Sequence, residues 1–308
     1  MKRLDEFRIY YNHTIHPELM RLERSRIRLL RLLFFSFLLL IVVLIVELYL
    51  NILVVTLMLM IPIGIYATYL LYRIRKFIQT FKPNVINLIL DFVDDSLNYG
   101  TLKYDDKRSI PKEVFFASKL FVTPAPIYSG EDHISGKIGE LDFELCELKV
   151  QEFSPVSSRL NTVFQGVFMH SRFTYLLEGI LVVWPRSYRQ YLSRTIKAFT
   201  WENGENADHE IMNDEFREHF MTYATPETHI AGLLPETMQE AVVNYRNQTG
   251  KEIFLSIIDG DIFIAIPEPK DILEPYIFQS NLSFDLVKEF FEDIQMALSI
   301  VEDFDQTH

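Results

Sequence analysis

The chain holds a single cysteine, Cys146, among 308 residues. An internal disulfide is therefore impossible, which agrees with a reducing compartment. Cys146 sits in an alternating, strand-like run (141–153). Its expected role is a small buried apolar side chain rather than a nucleophile. Basic residues are scarce beyond the first quarter of the chain. Residues 1–82 carry twelve Lys/Arg against five Asp/Glu, a net +7 within a total of −12, which leaves −19 for residues 83–308. So acidic a stretch does not bind nucleic acid non-specifically, and no nucleic-acid partner is expected.

Signatures of catalysis and metal binding are also missing. In SGEDHISGKI, Gly130 and Gly136 are separated by five residues where a phosphate loop needs four, and Ile138 stands where Ser or Thr should follow Lys137. His209-Glu210 opens like a metalloprotease helix, but position 213 is Asn. The eight histidines show no ligand spacing with cysteine. There is no Gly-x-Ser-x-Gly elbow. Asp259 and Asp261 flank Gly260, which is turn chemistry rather than an ion loop. Catalytic, cofactor-binding and metal residues are accordingly assigned to none, and no cofactor is expected.

What the chain does have is an apolar run, 32–72, with one formal charge, Glu47. A bilayer core of about 30 Å needs about 20 apolar residues in a helix. At about 1.5 Å per residue a single helix over this run would reach about 62 Å. Two crossings fit: about 32–48 and 52–72, with the polar break from Glu47 to Asn51. Tyr49, Tyr66, Tyr69 and Tyr72 sit where interfacial aromatics are expected. Pro62 and Gly64 in the second span predict a bend, and Glu47 marks the wet end of the hairpin. Both flanks are basic and the turn carries no Lys or Arg. The positive-inside rule then places both termini in the cytoplasm. The apolar run starts too late and is too long for a cleaved signal peptide.

Four parts are expected: a basic helical arm (1–31), the transmembrane hairpin (32–72), a helical connector (73–126) and an α+β cytoplasmic domain (127–308). The arm is weakly amphipathic through Ile9, Tyr10, Leu19, Leu22 and Ile27. Two readings of it stay open, a helix lying on the headgroups and a solvated arm. The second span should continue past Arg73 until Pro83 interrupts it. A helix follows over 85–97, ended by Asn98 to Gly100, then a short one over 112–120. From 127 the texture is strand-like: a turn and short strand at 129–139, then strands over 141–153, 164–173, 179–185 and 219–225. A helix is expected over 188–199, a loop over 202–210, and a helix over 235–250 with Pro235 at its start and Gly250 as its stop. Residues 252–267 read as a hairpin around Asp259-Gly260. The last helix, 284–304, buries Val287, Phe290, Phe291, Ile294, Ala297, Leu298 and Val301, with Glu289, Glu292, Asp293, Glu302 and Asp303 mainly on its other face. Strands joined by turns, with helices segregated, make an α+β domain closed by a C-terminal helix.

DHISGKIGE (132–140), FELCELKVQ (143–151), FQGVFM (164–169), LLPETMQEAVVNYRNQTGKEIFLSIIDGDIFIAI (233–266) and FFEDIQMALSIVEDF (290–304) follow one another in an order similar to that of the bacterial membrane proteins of domain-of-unknown-function family 3137. The resemblance spans roughly 75–305. It implies a membrane-tethered cytoplasmic domain and no known activity, substrate or cofactor. One departure concerns the family's Glu-Ala-Arg triplet and the hydroxyl residue before the helix proline. Here those positions hold Thr228-His229-Ile230 and Leu234.

Three functional readings stay open. The leading one is a non-enzymatic interaction or regulatory module at the bacterial inner membrane, held by the lipid bilayer through 32–72 and engaging an unidentified protein partner. The second is a domain for lipid or another small ligand, pleckstrin-like by analogy of fold alone. The third is an enzyme whose site is assembled from dispersed residues such as His133, His170 and Asp132.

Overall fold

The computed structural model describes residues 2–50, 53–94, 99–139, 141–154, 159–172, 178–270 and 273–307. The chain forms two compact units, one of Met1–Phe92 with Leu273–Lys288 and one of Val93–Ile272 with Glu289–His308.

The first unit is helical. Helix α1 (Lys2–Tyr10) passes through a π-turn (Tyr11–Ile15) into α2 (His16–Leu50), and α3 (Leu53–Asp94) follows. Phe7, Tyr11, Ile15, Leu19 and Leu22 are buried along one line, whereas Ile9 is exposed. The wider π-turn keeps this four-residue spacing on one face. The Tyr11 hydroxyl donates to the Leu282 carbonyl at 3.0 Å, and the Phe7 ring lies 5.3 Å from that of Phe92. The arm therefore packs inside its own unit and is not a free, solvated helix.

Two helices here are long and apolar enough to cross a membrane. Phe34, Phe35, Leu39, Val54, Met58 and Ile61 point outward and are exposed, a pattern that suits lipid and not water. The α3 helix runs unbroken through Pro62 and Pro83, so the interruption expected at Pro83 does not occur. Its 42 residues extend about 63 Å, about twice the hydrocarbon thickness. The Thr56 hydroxyl donates to the Glu47 carboxylate, joining the two helices beside their connection. Asn51, in the expected turn, lies outside the described residues, as do Leu97 and Asn98.

The second unit is built on an antiparallel sheet. Its strands are β1 (Tyr99–Asp105), β2 (Ile127–Ile138), β3 (Leu141–Phe153), β4 (Leu160–Arg172), β5 (Ile180–Pro185), β6 (Glu205–Asn206), β7 (Phe220–Ala224), β8 (Phe254–Ile258) and β9 (Asp261–Pro267). Among the described residues they pair in the order β1-β2-β3-β4-β9-β8-β5-β7-β6. Helices α4 (Lys112–Ala117), α5 (Ser193–Trp201), α6 (Asp214–His219), α7 (Ile230–Leu233), α8 (Glu236–Thr249) and α9 (Phe284–Thr307) complete it, α9 beginning in the first unit. The architecture is α+β, with long apolar N-terminal helices, a large antiparallel sheet and a C-terminal helix.

Several elements differ from expectation. Tyr99–Asp105 is a strand at the sheet edge, inside the stretch expected to be a helical connector. Residues 129–138, expected as a turn and a short strand, are strand throughout, part of one 12-residue element. The helix expected from Tyr188 starts at Ser193, after a 3-10 turn at Arg186–Tyr188. The hairpin is where the sequence places it: Asp259 and Gly260 both take positive φ, 48° and 91°, as a two-residue turn matched to strand twist requires.

Alternation along the strands sends one set of side chains to each face. Cys146, Leu148, Val150, Phe164, Phe168, Phe263 and Ala265 share a core with Phe115, Phe121, Trp184 and Phe254. Large side chains of this kind contribute about 1.5–3 kcal/mol each on burial. The Trp184 indole N–H reaches the Leu120 carbonyl at 3.1 Å, so the core leaves that donor satisfied. Phe143, Leu145, Val167, Met169, Ile264 and Ile266, which alternate with the first set, are buried too. In α9, Phe290, Ile294, Leu298 and Val301 are buried as expected. Asp293, expected on the outer face, is buried as well, because Lys251 meets it. The Lys251 ammonium lies 2.8 Å from Asp293 Oδ2 and 2.8 Å from Glu268 Oε2, and the Tyr245 hydroxyl donates to Asp293 Oδ1 at 2.7 Å. The side chain of Asp303 lies outside the described residues.

Candidate functional site

The apolar face of the sheet runs out at one end, and polar residues take over on the same face. Along β3 the core residue Cys146 is followed, two residues back, by Glu144. Along β4 Phe168 gives way to His170 and then Arg172. Along β9 Phe263 gives way to Asp261. The strand register aligns these substitutions. Lys103, Ser135, Glu144, His170 and Phe263 form one row across five strands, and Lys137, Asp142, Arg172 and Asp261 form a row beside it. Side chains in such rows stand within reach of one another.

A bulge brings in one further residue. Between Glu131 and Ile134 the β2–β3 register slips by one, and Asp132 takes a φ of 58°. Bulges of this type re-aim side chains. Here His133 turns toward Glu144. His133 Nε2 lies 3.1 Å from Glu144 Oε2, His170 Nδ1 lies 3.3 Å from Glu144 Oε1, and His170 Nε2 lies 3.1 Å from Asp261 Oδ1. The His170 ring also stacks on Phe263 at 4.9 Å. Hydrogen bonds from His133 and then His170 hold the Glu144 carboxyl down at about 2. Burial opposes protonation of His170, but the bonds to Glu144 and Asp261 outweigh it and raise its pKa above the ordinary value.

The network forms part of the wall of an open cavity of about 370 Å³, lined also by Lys103, Arg108, Lys137 and Arg172. That volume lies at the small-molecule end of binding pockets. Asp142 lies 3.4 Å from Lys137, and Arg172 lies 3.5 Å from Asp261. Among the described residues, no ion-pair partner faces Lys103 or Arg108.

Of the three residues singled out in the sequence as a dispersed site, the fold unites His133 and His170, through Glu144. Asp132 is separated from them by the bulge and instead accepts a hydrogen bond from the Tyr104 hydroxyl. Glu144 is the member that sequence reasoning passed over, and Asp261 was read there as turn chemistry alone. The signal for both was a charged residue on the inward phase of an otherwise apolar strand. Cys146 is fully buried, accepts a contact from the Ile110 amide at 3.4 Å, and has its thiol pushed up to about 12 by burial. It is inert at neutral pH. Among the described residues, Glu131, Asp132 and Glu147 place one carboxylate oxygen each within 4.8 Å of one another. The three oxygens so placed are fewer than the roughly six to eight a calcium ion takes.

A family model described as "Protein of unknown function (DUF3137)" matches residues 162–306. Over those residues the chain resembles that family. The DUF3137 match starts well after residue 75, where the similarity was expected to begin. It takes in His170 and Asp261 but neither His133 nor Glu144. No curated protein matches the chain. Among solved structures, the crystal structure of the mycobacterial trehalose monomycolate transport factor A, TtfA, aligns at 8% identity over 67% of this chain and 88% of that one, with a TM-score of 0.36. A TM-score this low establishes no common fold.

Proposed function

We propose that the chain is a multi-pass protein of the bacterial inner membrane, with residues 32–72 crossing the bilayer twice and both termini in the cytoplasm. Its sheet domain acts by binding a protein partner at the membrane, not by catalysis. The observation that weighs against catalysis is His170, which is engaged through both ring nitrogens, by Glu144 and Asp261. A general base must offer a nitrogen to the proton it removes, and His170 has none to offer. The buried thiol of Cys146 supplies no nucleophile either. The boundaries at residues 31 and 72 belong to the proposal, whereas the sheet takes in Tyr99–Asp105, ahead of the start expected at 127; the exclusion of nucleic acid is supported by the net −19 of residues 83–308.

Two experiments test the reading. Single cysteines at positions 3, 51 and 308, probed on intact spheroplasts with an impermeant thiol reagent, should react at 51 alone. Reaction at 308 would overturn the cytoplasmic placement. A photoreactive residue at Lys107 in the full-length protein in its host should yield a recurrent protein adduct of one mass. Adducts to lipid alone, or none, would overturn the partner-binding reading.

A further inference from the structure

We infer that the cavity at the end of β1–β4 is a binding site for a phosphoryl-type oxyanion, on a small soluble molecule or on a lipid headgroup. The inference rests on the domain being a binding module, but not on the identity or existence of its protein partner.

The charge balance of the wall carries it. Four permanent cations, Lys103, Arg108, Lys137 and Arg172, face two carboxylates, Asp142 and Glu144. The wall is thus +2 before either histidine is counted, inside a stretch of the chain that is −19. Both carboxylates are already occupied. Glu144 lies between His133 and His170, and Asp142 lies 3.4 Å from Lys137. Arg172 is 77% exposed and its carboxylate partner, Asp261, lies 3.5 Å away while also serving His170. Lys103 and Arg108 meet no ion-pair partner among the described residues. Opposite charges elsewhere in so acidic a protein would readily supply partners, yet these two cations stand over a concavity without one.

The chemistry of the wall selects among ligands. A metal cation would be repelled by this excess of positive charge. Of the side chains that line the cavity only Phe143 is hydrophobic, so the wall offers an apolar ligand little to select it by. A tetrahedral oxyanion suits it: guanidinium groups present paired N–H donors to phosphate oxygens, and ammonium groups add point charge. The rigid element is the sheet itself, since Lys103 and Arg172 belong to rows whose register is set by backbone pairing. Only Arg108 comes from outside a strand.

Calorimetric titration of the full-length protein in detergent with inorganic phosphate tests the soluble source. Reconstitution into nanodiscs of phosphatidylcholine, with and without phosphatidic acid, tests the headgroup, read as protection of Lys103 and Lys137 from amine acetylation. Either saturable phosphate binding or phosphatidic-acid-dependent protection is the expected result, and which one appears identifies the source. In whichever arm responds, Arg108→Gln and Lys103→Gln, the latter read at Lys137 in the nanodisc arm, should weaken the effect at least tenfold, while Lys197→Gln on α5 should change it less than twofold. The substituted side chains are exposed, so unchanged melting will show that the variants fold. Absence of any effect in both arms, or an effect indifferent to Arg108→Gln and Lys103→Gln, would overturn the inference. Photo-crosslinked partner capture is scored separately, so loss of the anion site and loss of the partner reading are distinguishable.

Discussion

Glu144 and His170 face each other across the β3–β4 ladder, with Oε1 and Nδ1 3.3 Å apart. Each is a charged residue at a position the strand pattern reserves for the core. Their stability contributions have opposite pH signs. Glu144 is held at about 2 against an ordinary 4.5, so its bonds stabilise the fold fully above pH 4.5 and lose that effect as pH falls through about 2. His170 is raised above an ordinary 6.5, so its contribution is full below pH 6.5 and fades as pH rises through its folded value. The difference in denaturant midpoint between wild type and Glu144→Gln should therefore be largest from pH 4.5 to 6.5. A difference that grows steadily toward pH 9 would contradict the network.

Lys251 is the next point of leverage. Its side chain is 12% exposed and lies between Asp293, 1% exposed, and Glu268, 9% exposed. Burial, opposed by Lys251, lifts the Asp293 carboxyl to about 6. Lys251→Met leaves two buried carboxylates without their cation and should cost about 3–5 kcal/mol. Adding Asp293→Asn should restore part of that loss. Urea midpoints of the single and double variants check both statements.

Gly166 lets β9 approach β4. A Cβ at this position would stand 2.1 Å from the Ile266 carbonyl oxygen, at a φ of +147°. Gly166→Ala should destabilise by more than about 2 kcal/mol and shift Asp261 away from His170. Nothing lies within 4 Å of a Cβ built on Gly64, so Gly64→Ala should leave the sheet unit unaffected. Thermal melts of the two variants should separate them.

The closing helix offers a test of the core. Phe290 and Leu298 are 4% and 1% exposed. Truncating either to Ala should cost about 2–5 kcal/mol, a large share of a typical 5–15 kcal/mol. Gln295→Ala on the same helix should cost under about 0.5 kcal/mol. Equal denaturant midpoints for Leu298→Ala and Gln295→Ala would remove α9 from the core.

Local chemistry made some of this structure legible. Asp259-Gly260 announces its hairpin because few other pairs accept two positive φ values, and the stripe from Phe290 to Val301 announces α9. The outward apolar run of 32–72 likewise follows from composition. Tyr99–Asp105 was hidden because its register with β2 is irregular and its alternation is weak. Residues 129–138 look like a turn because Gly130 and Gly136 punctuate them, yet both glycines lie within a paired strand. At Gly130 a Cβ would meet Leu148 at 2.5 Å, so close packing, not turning, accounts for that residue. The site was half legible. His133 and His170 stand out as residue types. Glu144 is one of several alternating acids; its phase with Cys146 hints that it points inward, and the register with β4 shows which residue it meets. Asp132 misled because it adjoins His133 in sequence, while the bulge sends the two in different directions.

The route of the chain through the sheet also sets an order of events. His170 and Asp261 are 91 residues apart, and β9 pairs directly with β4 while β5 does not. At about 5–20 residues per second a ribosome needs about 5–18 s to supply Asp261 after His170. Through that interval the edge from Gly166 to Arg172 has no partner, while the apolar helices of 32–72 have already left the ribosome. The contact of Asp261 with His170 is thus made late, after every residue that lines the cavity has been synthesised, and until then the nascent edge strand is open to pairing with another chain.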